Sequence, residues 1–163
     1  MSSADESYVR SLGDDSRGRS SDPGIAVAPR PTPAPTEFSA GYWDAAARGH
    51  LAIQRCETCR TWNHPPSISC PDCGSTALRF EQVSGRGSIH QFAIARQSKL
   101  DGFESRVPYT IAAIELDEQS QLIVVANIVD AEPVEVGIGR RVRVTFEEAA
   151  GCTLPQFVLE ATP

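Results

Sequence analysis

Four cysteines fall in two tight pairs, Cys56-x-x-Cys59 and Cys70-x-x-Cys73. A two-residue gap lets both sulfurs of a pair turn toward one ion, and two such knuckles complete a tetrahedral thiolate site. The competing use of cysteine, a disulfide framework, belongs to exported chains. Residues 1–15 carry four acids and no apolar core, so they read as neither a secretory signal nor a transit peptide. A structural Zn²⁺, one per chain, on Cys56, Cys59, Cys70 and Cys73 is therefore the first expectation. Iron is the alternative, because Cys70-Pro71-x-Cys73-Gly74 is also a rubredoxin-type knuckle and four thiolates accept either metal. Four protein ligands leave no open position for water, which makes the site structural rather than catalytic.

The remaining chemistry-bearing residues form no comparable pattern. Of the three histidines, His50, His64 and His90, none sits in a His-Glu-x-x-His motif, and neither a Gly-x-Ser-x-Gly elbow nor a glycine-rich phosphate loop occurs. Cys152 has no base near it in sequence and is expected as an ordinary thiol. The expectation is a chain that is not an enzyme on its own. A second feature is the segment 95–107, a long inter-strand loop holding Arg96, Lys99, Arg106 and Phe103. If Arg86 at the preceding bend meets this loop at one barrel end, the four cations would grip a phosphate such as that of coenzyme A, or an acidic partner surface. The alternative is a solvated loop whose cations pair with Asp101 and Glu104.

The elements that must position these residues divide the chain in four. Residues 1–37 hold five prolines, seven serines and three glycines, including the run Ala28-Pro29-Arg30-Pro31-Thr32-Pro33-Ala34-Pro35. That composition cannot bury enough surface to offset ordering and reads as a disordered linker. Residues 38–50 read as a short docking helix over about 39–48, with Ser39 as N-cap, Gly49 after its end, and Phe38, Tyr42 and Ala46 on one face beside Trp43. Residues 51–76 carry the zinc ribbon, where Gly74 suits the positive φ that follows a knuckle and Arg60 occupies that place in the first. Residues 77–163 read as β, with strands expected at 77–84, 87–96, 108–116, 121–130, 140–147 and 155–160. Val142, Val144 and Phe146 alternate there with Arg141, Arg143 and Thr145, as in a strand with one wet face. The fold class is mainly β: a short helix, a four-cysteine zinc ribbon and a five- to six-stranded barrel of the OB type, with an SH3-like barrel leaving the same trace.

The 163 residues carry a net charge of −6 and only 7% aromatics, which argues against a nucleic-acid partner despite the use of ribbons and OB barrels on single strands elsewhere. No apolar run approaches the ~20 residues of a membrane span. The expected location is the cytoplasm, with no membrane partner.

Taken together, Tyr42-Trp43, Leu51, Gln54-Arg55-Cys56-x-x-Cys59, Pro65-Pro66, Cys70-Pro71-x-Cys73-Gly74-Ser75, Ser84-Gly85-Arg86-Gly87, Pro108-Tyr109, Glu115-Leu116 and Gly139-x-x-Val142-x-Val144-x-Phe146 form a combination. Over about residues 38–160 the chain resembles the acyl-CoA-associated OB-fold family with an N-terminal rubredoxin-like zinc ribbon. Arg60 stands where the family usually has glycine and Phe80 where tryptophan is common. The resemblance implies zinc at the four cysteines and transfers no catalytic residue. Members are small proteins or are fused to a hydratase-like hot-dog domain, and they accompany thiolase-fold enzymes. The implied function is a non-catalytic accessory subunit of a lipid-transfer-protein-like acyl-CoA enzyme, in a 2:2 heterotetramer. The proline-rich leader fits a relative of the hydratase-fused form, with a hydratase domain upstream and an aldolase partner that cleaves a steroid (cholesterol-type) side-chain CoA thioester. An accessory protein of another thiolase-fold acyltransferase, or a CoA- or acyl-CoA-binding module, is the alternative.

Overall fold

The computed structural model describes residues 31–100 and 102–161. Most of the expected linker, residues 1–30, and Asp101 lie outside the described residues. Residues 31–36 run without regular structure into a turn at 37–39. Helix α1, Ala40–Ala47, follows on its run of alanines. Ser39 occupies the N-cap position but makes no side-chain cap. Its hydroxyl turns back to the Thr36 amide at 2.9 Å, while the Thr36 carbonyl receives the Ser39 and Ala40 amides at 3.0 and 2.8 Å. The preceding turn thus claims the hydroxyl that a cap would use. Tyr42 and Ala46 are buried as the helical periodicity requires, whereas Phe38 stays 43% exposed.

Two β units share the rest. The ribbon sheet has the order β2-β1-β3, built from β1 (Ala52–Cys56), β2 (Trp62–Asn63) and β3 (Leu78–Gln82). The strand expected at 77–84 forms as β3 but pairs with β1, Ile53 against Glu81 and Cys56 against Leu78. The barrel therefore closes with five strands: β4 (Arg86–Ala95), β5 (Tyr109–Leu116), β6 (Ile123–Ile128), β7 (Arg141–Ala149) and β8 (Cys152–Leu159). Their order is β4-β5-β6-β8-β7, closed by β4 on β7, with a parallel contact of β6 and β8 at Ile128 and Phe157. That order, with its single parallel contact, is the OB arrangement and resolves the choice left open with the SH3-like barrel.

Closure depends on Gly87, which pairs with Leu116 on one side and Val142 on the other. A Cβ at this position would run into the Glu115 carbonyl oxygen, so only glycine lets β4 sit between both neighbours. The core inside is dense: Phe157, Ile89, Ile114, Leu116, Val124 and Val142 are at most 2% exposed. Each such burial is worth about 1.5–3 kcal/mol. The same cluster continues into Leu51, Ile53, Val83 and Tyr42, so helix, ribbon and barrel share one core. Polar contacts lock the junction. In the β5–β6 turn, Gln119 accepts the Trp62 amide at 2.9 Å and donates to the Trp62 carbonyl at 3.3 Å, while Glu118 accepts the Ser84 amide at 2.6 Å. No helix among the described residues is long and apolar enough to cross a membrane.

Candidate metal centre

The sulfur cluster is assembled by two turns of the same design. In the first, Cys56 ends β1 and its carbonyl accepts the Arg60 amide at 3.0 Å; in the second, the Cys70 carbonyl accepts the Gly74 amide at 2.9 Å. Gly74 takes φ +74° at no steric cost, and Arg60 takes the equivalent φ of +67°, which costs a side-chain-bearing residue roughly 1–2 kcal/mol. Offsetting contacts hold Arg60 there. Its carbonyl accepts the Arg55 Nε at 2.9 Å, and its guanidinium lies 3.3 Å from Glu81. Arg55 first, with Arg79 and Arg60 beside it, holds the Glu81 carboxyl below the usual carboxylate range. Thr61 donates to Asp72 at 2.8 Å and Thr58 to Ser75 at 2.9 Å, tying the knuckles together.

Across the knuckles, Cys56 Sγ lies 3.6 Å from Cys73 Sγ and Cys59 Sγ 3.5 Å from Cys70 Sγ. All four sulfurs fall within 4.8 Å of one another. Metal–sulfur bonds of about 2.3 Å in a tetrahedron separate sulfurs by about 3.8 Å, so the cluster is able to hold a metal ion. Cys56 and Cys70 are buried, Cys59 and Cys73 exposed. The thiols diverge as crowded acids do. The Thr61 hydroxyl draws the Cys59 pKa down to about 6. The Ser75 amide draws Cys73 down as well, but the Cys59, Cys56 and Cys70 sulfurs push it up to about 12. Four thiolates at this separation need a cation among them.

The excursion between the knuckles is held by Gln54, whose bonding role no spacing or periodicity reveals. Only 6% exposed, it donates to the Ser67 carbonyl at 2.9 Å and accepts the Ser67 amide at 2.9 Å and Asn63 Nδ2 at 2.8 Å. The available signal is an amide in the otherwise apolar run Ala52-Ile53-Gln54. His64 stands in this excursion but outside the sulfur cluster, its ring 5.5 Å from that of Tyr42. Its Nδ1 is buried with no hydrogen-bond partner among the described residues, and burial pushes its pKa from 6.5 down to about 4.

A pH prediction follows from His64. Its folded pKa lies below the unfolded value, so the unfolded state binds more protons as pH falls. Stability from this group is complete above about pH 6.5 and drains as pH drops toward 4. Replacing His64 with phenylalanine keeps a ring against Tyr42 and removes the titration. Wild type should lose roughly 3 kcal/mol relative to His64→Phe between pH 7 and 4, read from urea midpoints. Protonation of the thiolates is common to both proteins and cancels in the difference. Midpoints that fall in parallel would contradict the assignment.

The four cations singled out in sequence do not form one cluster. Arg86 opens β4 and Arg96 follows its last residue, a ten-residue strand apart, about 30 Å if fully extended. Arg86 pairs with Glu160 at 3.2 Å, and Arg106 crosses to Glu147 on β7 at 3.1 Å rather than to Glu104. Arg96 and Lys99 carry no ion pair among the described residues. Cys152, at the start of β8, lines a cavity of about 160 Å³ with Pro33, Pro35 and Trp43 and is not part of the four-sulfur cluster.

With this geometry in view, comparison with known proteins is direct. Residues 43–79 match the family model of the ChsH2 rubredoxin-like zinc ribbon domain, and residues 80–147 that of the ChsH2 C-terminal OB-fold domain. A probable enoyl-CoA hydratase alpha subunit of Thermomonospora curvata is 37% identical over 129 residues, 78% of this chain and 39% of that protein. The 3-oxo-4,17-pregnadiene-20-carboxyl-CoA hydratase alpha subunit of Mycobacterium tuberculosis is 30% identical over 70% of this chain and 35% of its own length. The chain thus spans well under half of these two curated relatives. Among solved structures, a chain of the Ltp2-ChsH2(DUF35) aldolase superposes with a TM-score of 0.71 at 34% identity, covering 78% of this chain and 98% of that one. The chain belongs to the ChsH2 family of zinc ribbon–OB-fold proteins.

Proposed function

We propose that this chain is a non-catalytic accessory subunit that binds and supports a thiolase-fold acyl-CoA enzyme. The observation that carries this reading is the likeness to a chain of the Ltp2-ChsH2(DUF35) aldolase, which extends over 98% of that chain. In the finer reading the partner is an aldolase that cleaves a carbon–carbon bond in the side chain of a steroid CoA thioester. The pregnadiene-carboxyl-CoA named in the Mycobacterium tuberculosis relative supports that substrate class. The additional length of the two hydratase relatives supports a hydratase domain upstream, and a dimeric thiolase-fold partner would make the assembly 2:2.

In this reading Cys56, Cys59, Cys70 and Cys73 hold a structural Zn²⁺. The ion supplies a four-way cross-link between the knuckles and presents no open position to substrate. The chain's own residues act on the enzyme by shape: bonds from Trp62 to Gln119 and from Ser84 to Glu118 hold ribbon and barrel together as one body. The test is turnover of a steroid side-chain CoA thioester by the thiolase-fold protein with and without this chain. Cleavage that depends on stoichiometric addition of the chain is expected. Full turnover by the partner alone, or by this chain alone, would overturn the reading.

A further inference from the structure

The barrel's outer face at β4, β5 and β6 departs from the rule for a sheet that has one side in the core and one in water. Such a sheet carries polar side chains outward, as β7 does with Arg141 and Arg143 on either side of the buried Val142. On β4–β6 the outward positions stand in register as Ala93 opposite Ile111, Gln91 opposite Ala113, and Ala113 opposite Val125, with the polar Asn127 opposite Ile111. Ile111 is 36% and Val125 66% exposed. With Phe92 they line a shallow groove of about 190 Å³. Small-molecule sites are concave and enclose roughly 300–1,000 Å³, so an open aliphatic strip of this size suits a macromolecular surface better. Phe92 packs against the core cluster, and Gln91, Ala93, Ile111, Ala113 and Val125 offer no ring for a base to stack on, which disfavours a single-stranded nucleic acid.

Charge singles out one end of the strip. Arg96 directly follows Ala95, the last residue of β4, and Lys99 comes three residues later; neither has an ion pair among the described residues, in a chain of net charge −6. Tyr109, beside Ile111 on β5, lies 5.5 Å ring to ring from Phe103. That contact sets Phe103 beside the end of the strip, and Leu100 is 60% exposed. β5 is paired along both sides, so an occupant would pack on side chains rather than add a strand. OB barrels commonly hold their ligands on the second and third strands and on the loop joining the first to the second, here β5, β6 and the 96–108 segment.

We propose that this face, Ala93, Ile111, Ala113 and Val125 with Arg96 and Lys99 at its end, is the surface on which the thiolase-fold partner seats. The partner presents an apolar strip there, with carboxylates beside the 96–107 loop. The inference rests on the accessory-subunit reading. Its test is the affinity of the zinc-loaded chain for its thiolase-fold partner by titration calorimetry, with metal content and thermal midpoint confirming that each variant is folded.

Val125→Glu should weaken the complex by about 30-fold or more, the scale of a central hot spot. The pair Arg96→Glu and Lys99→Glu should weaken it about tenfold, and added salt should weaken wild-type binding while leaving that pair less affected. Val134→Glu, at a 90% exposed residue in the turn before β7, serves as the control and should bind as wild type does. A folded Val125→Glu variant that binds within twofold of wild type overturns the inference while leaving the accessory reading in place. Octanoyl-CoA binding to the chain alone that is lost in Val125→Glu, with partner binding intact, assigns the face to a thioester and also overturns it. A wild-type chain that binds no thiolase-fold protein overturns both the inference and the reading beneath it.

Discussion

Replacing Cys56 with serine is expected to abolish stoichiometric zinc and to disorder the ribbon sheet. Cys56 is fully buried at the end of β1, and its sulfur lies 3.6 Å from that of Cys73. A serine there cannot supply one of the four thiolates that the two knuckles contribute. Structural zinc contributes about 10–16 kcal/mol in small zinc-finger peptides, comparable to the whole stability of an ordinary domain at about 5–15 kcal/mol. The two-residue strand β2 and the Gln54 network lose the cross-link that closes the ribbon once the knuckles part. Damage should also spread into the barrel, because Leu51 and Ile53 share its core cluster and Trp62 is bonded to Gln119. Metal analysis with limited proteolysis reads this out: rapid cleavage within residues 57–76 in the variant and resistance in wild type. Cys152→Ser should retain zinc and resist proteolysis. A Cys56→Ser chain that keeps one zinc and a protected ribbon would refute the assignment.

The second large effect belongs to the barrel's centre. Phe157 is 0% exposed, opposite Val144 on β7 and in the single parallel contact with Ile128 on β6. Its backbone also closes the seam, since its carbonyl accepts the Val129 amide at 2.8 Å. Truncation to alanine leaves a cavity where three strands meet and should cost about 3–5 kcal/mol, or a fall of about 10–15 °C in thermal midpoint for a chain of this size. Zinc content should stay at wild type, because the sulfur cluster stands on the other sheet. A shift of less than about 1 kcal/mol would mean that the core is not organised around this ring.

Much of this was legible in the sequence for reasons that can be named. The Cys-x-x-Cys spacing dictates where sulfurs point whatever the surrounding fold, so the cluster could be read from four positions. The alternation of Arg141, Val142, Arg143 and Val144 has the strand period and a wet face, and β7 follows it. Other features were hidden because local pattern does not specify pairing. β3 reads as a strand, but nothing in Leu78–Gln82 says that its neighbour is β1 rather than β4. Arg86 and Arg96 looked close only if the bend and the loop met, whereas a ten-residue strand separates them. The turn at Thr36 diverted Ser39 from its cap through a contact that helix propensity does not encode. The apolar outer strip was invisible because Ile111, Ala112, Ala113 and Ile114 are apolar in succession. A two-residue period cannot show which of them face water when both faces are apolar.

Co-expression of this chain with the thiolase-fold proteins of its own genome tests most directly whether it is a subunit. Affinity-purified material would be run through size exclusion with light scattering and metal analysis. Co-elution at equimolar ratio is expected, with a mass fitting two copies of each chain and about one zinc per ribbon. A zinc-loaded chain that elutes alone, with no thiolase-fold protein retained at any salt concentration, would contradict the subunit reading.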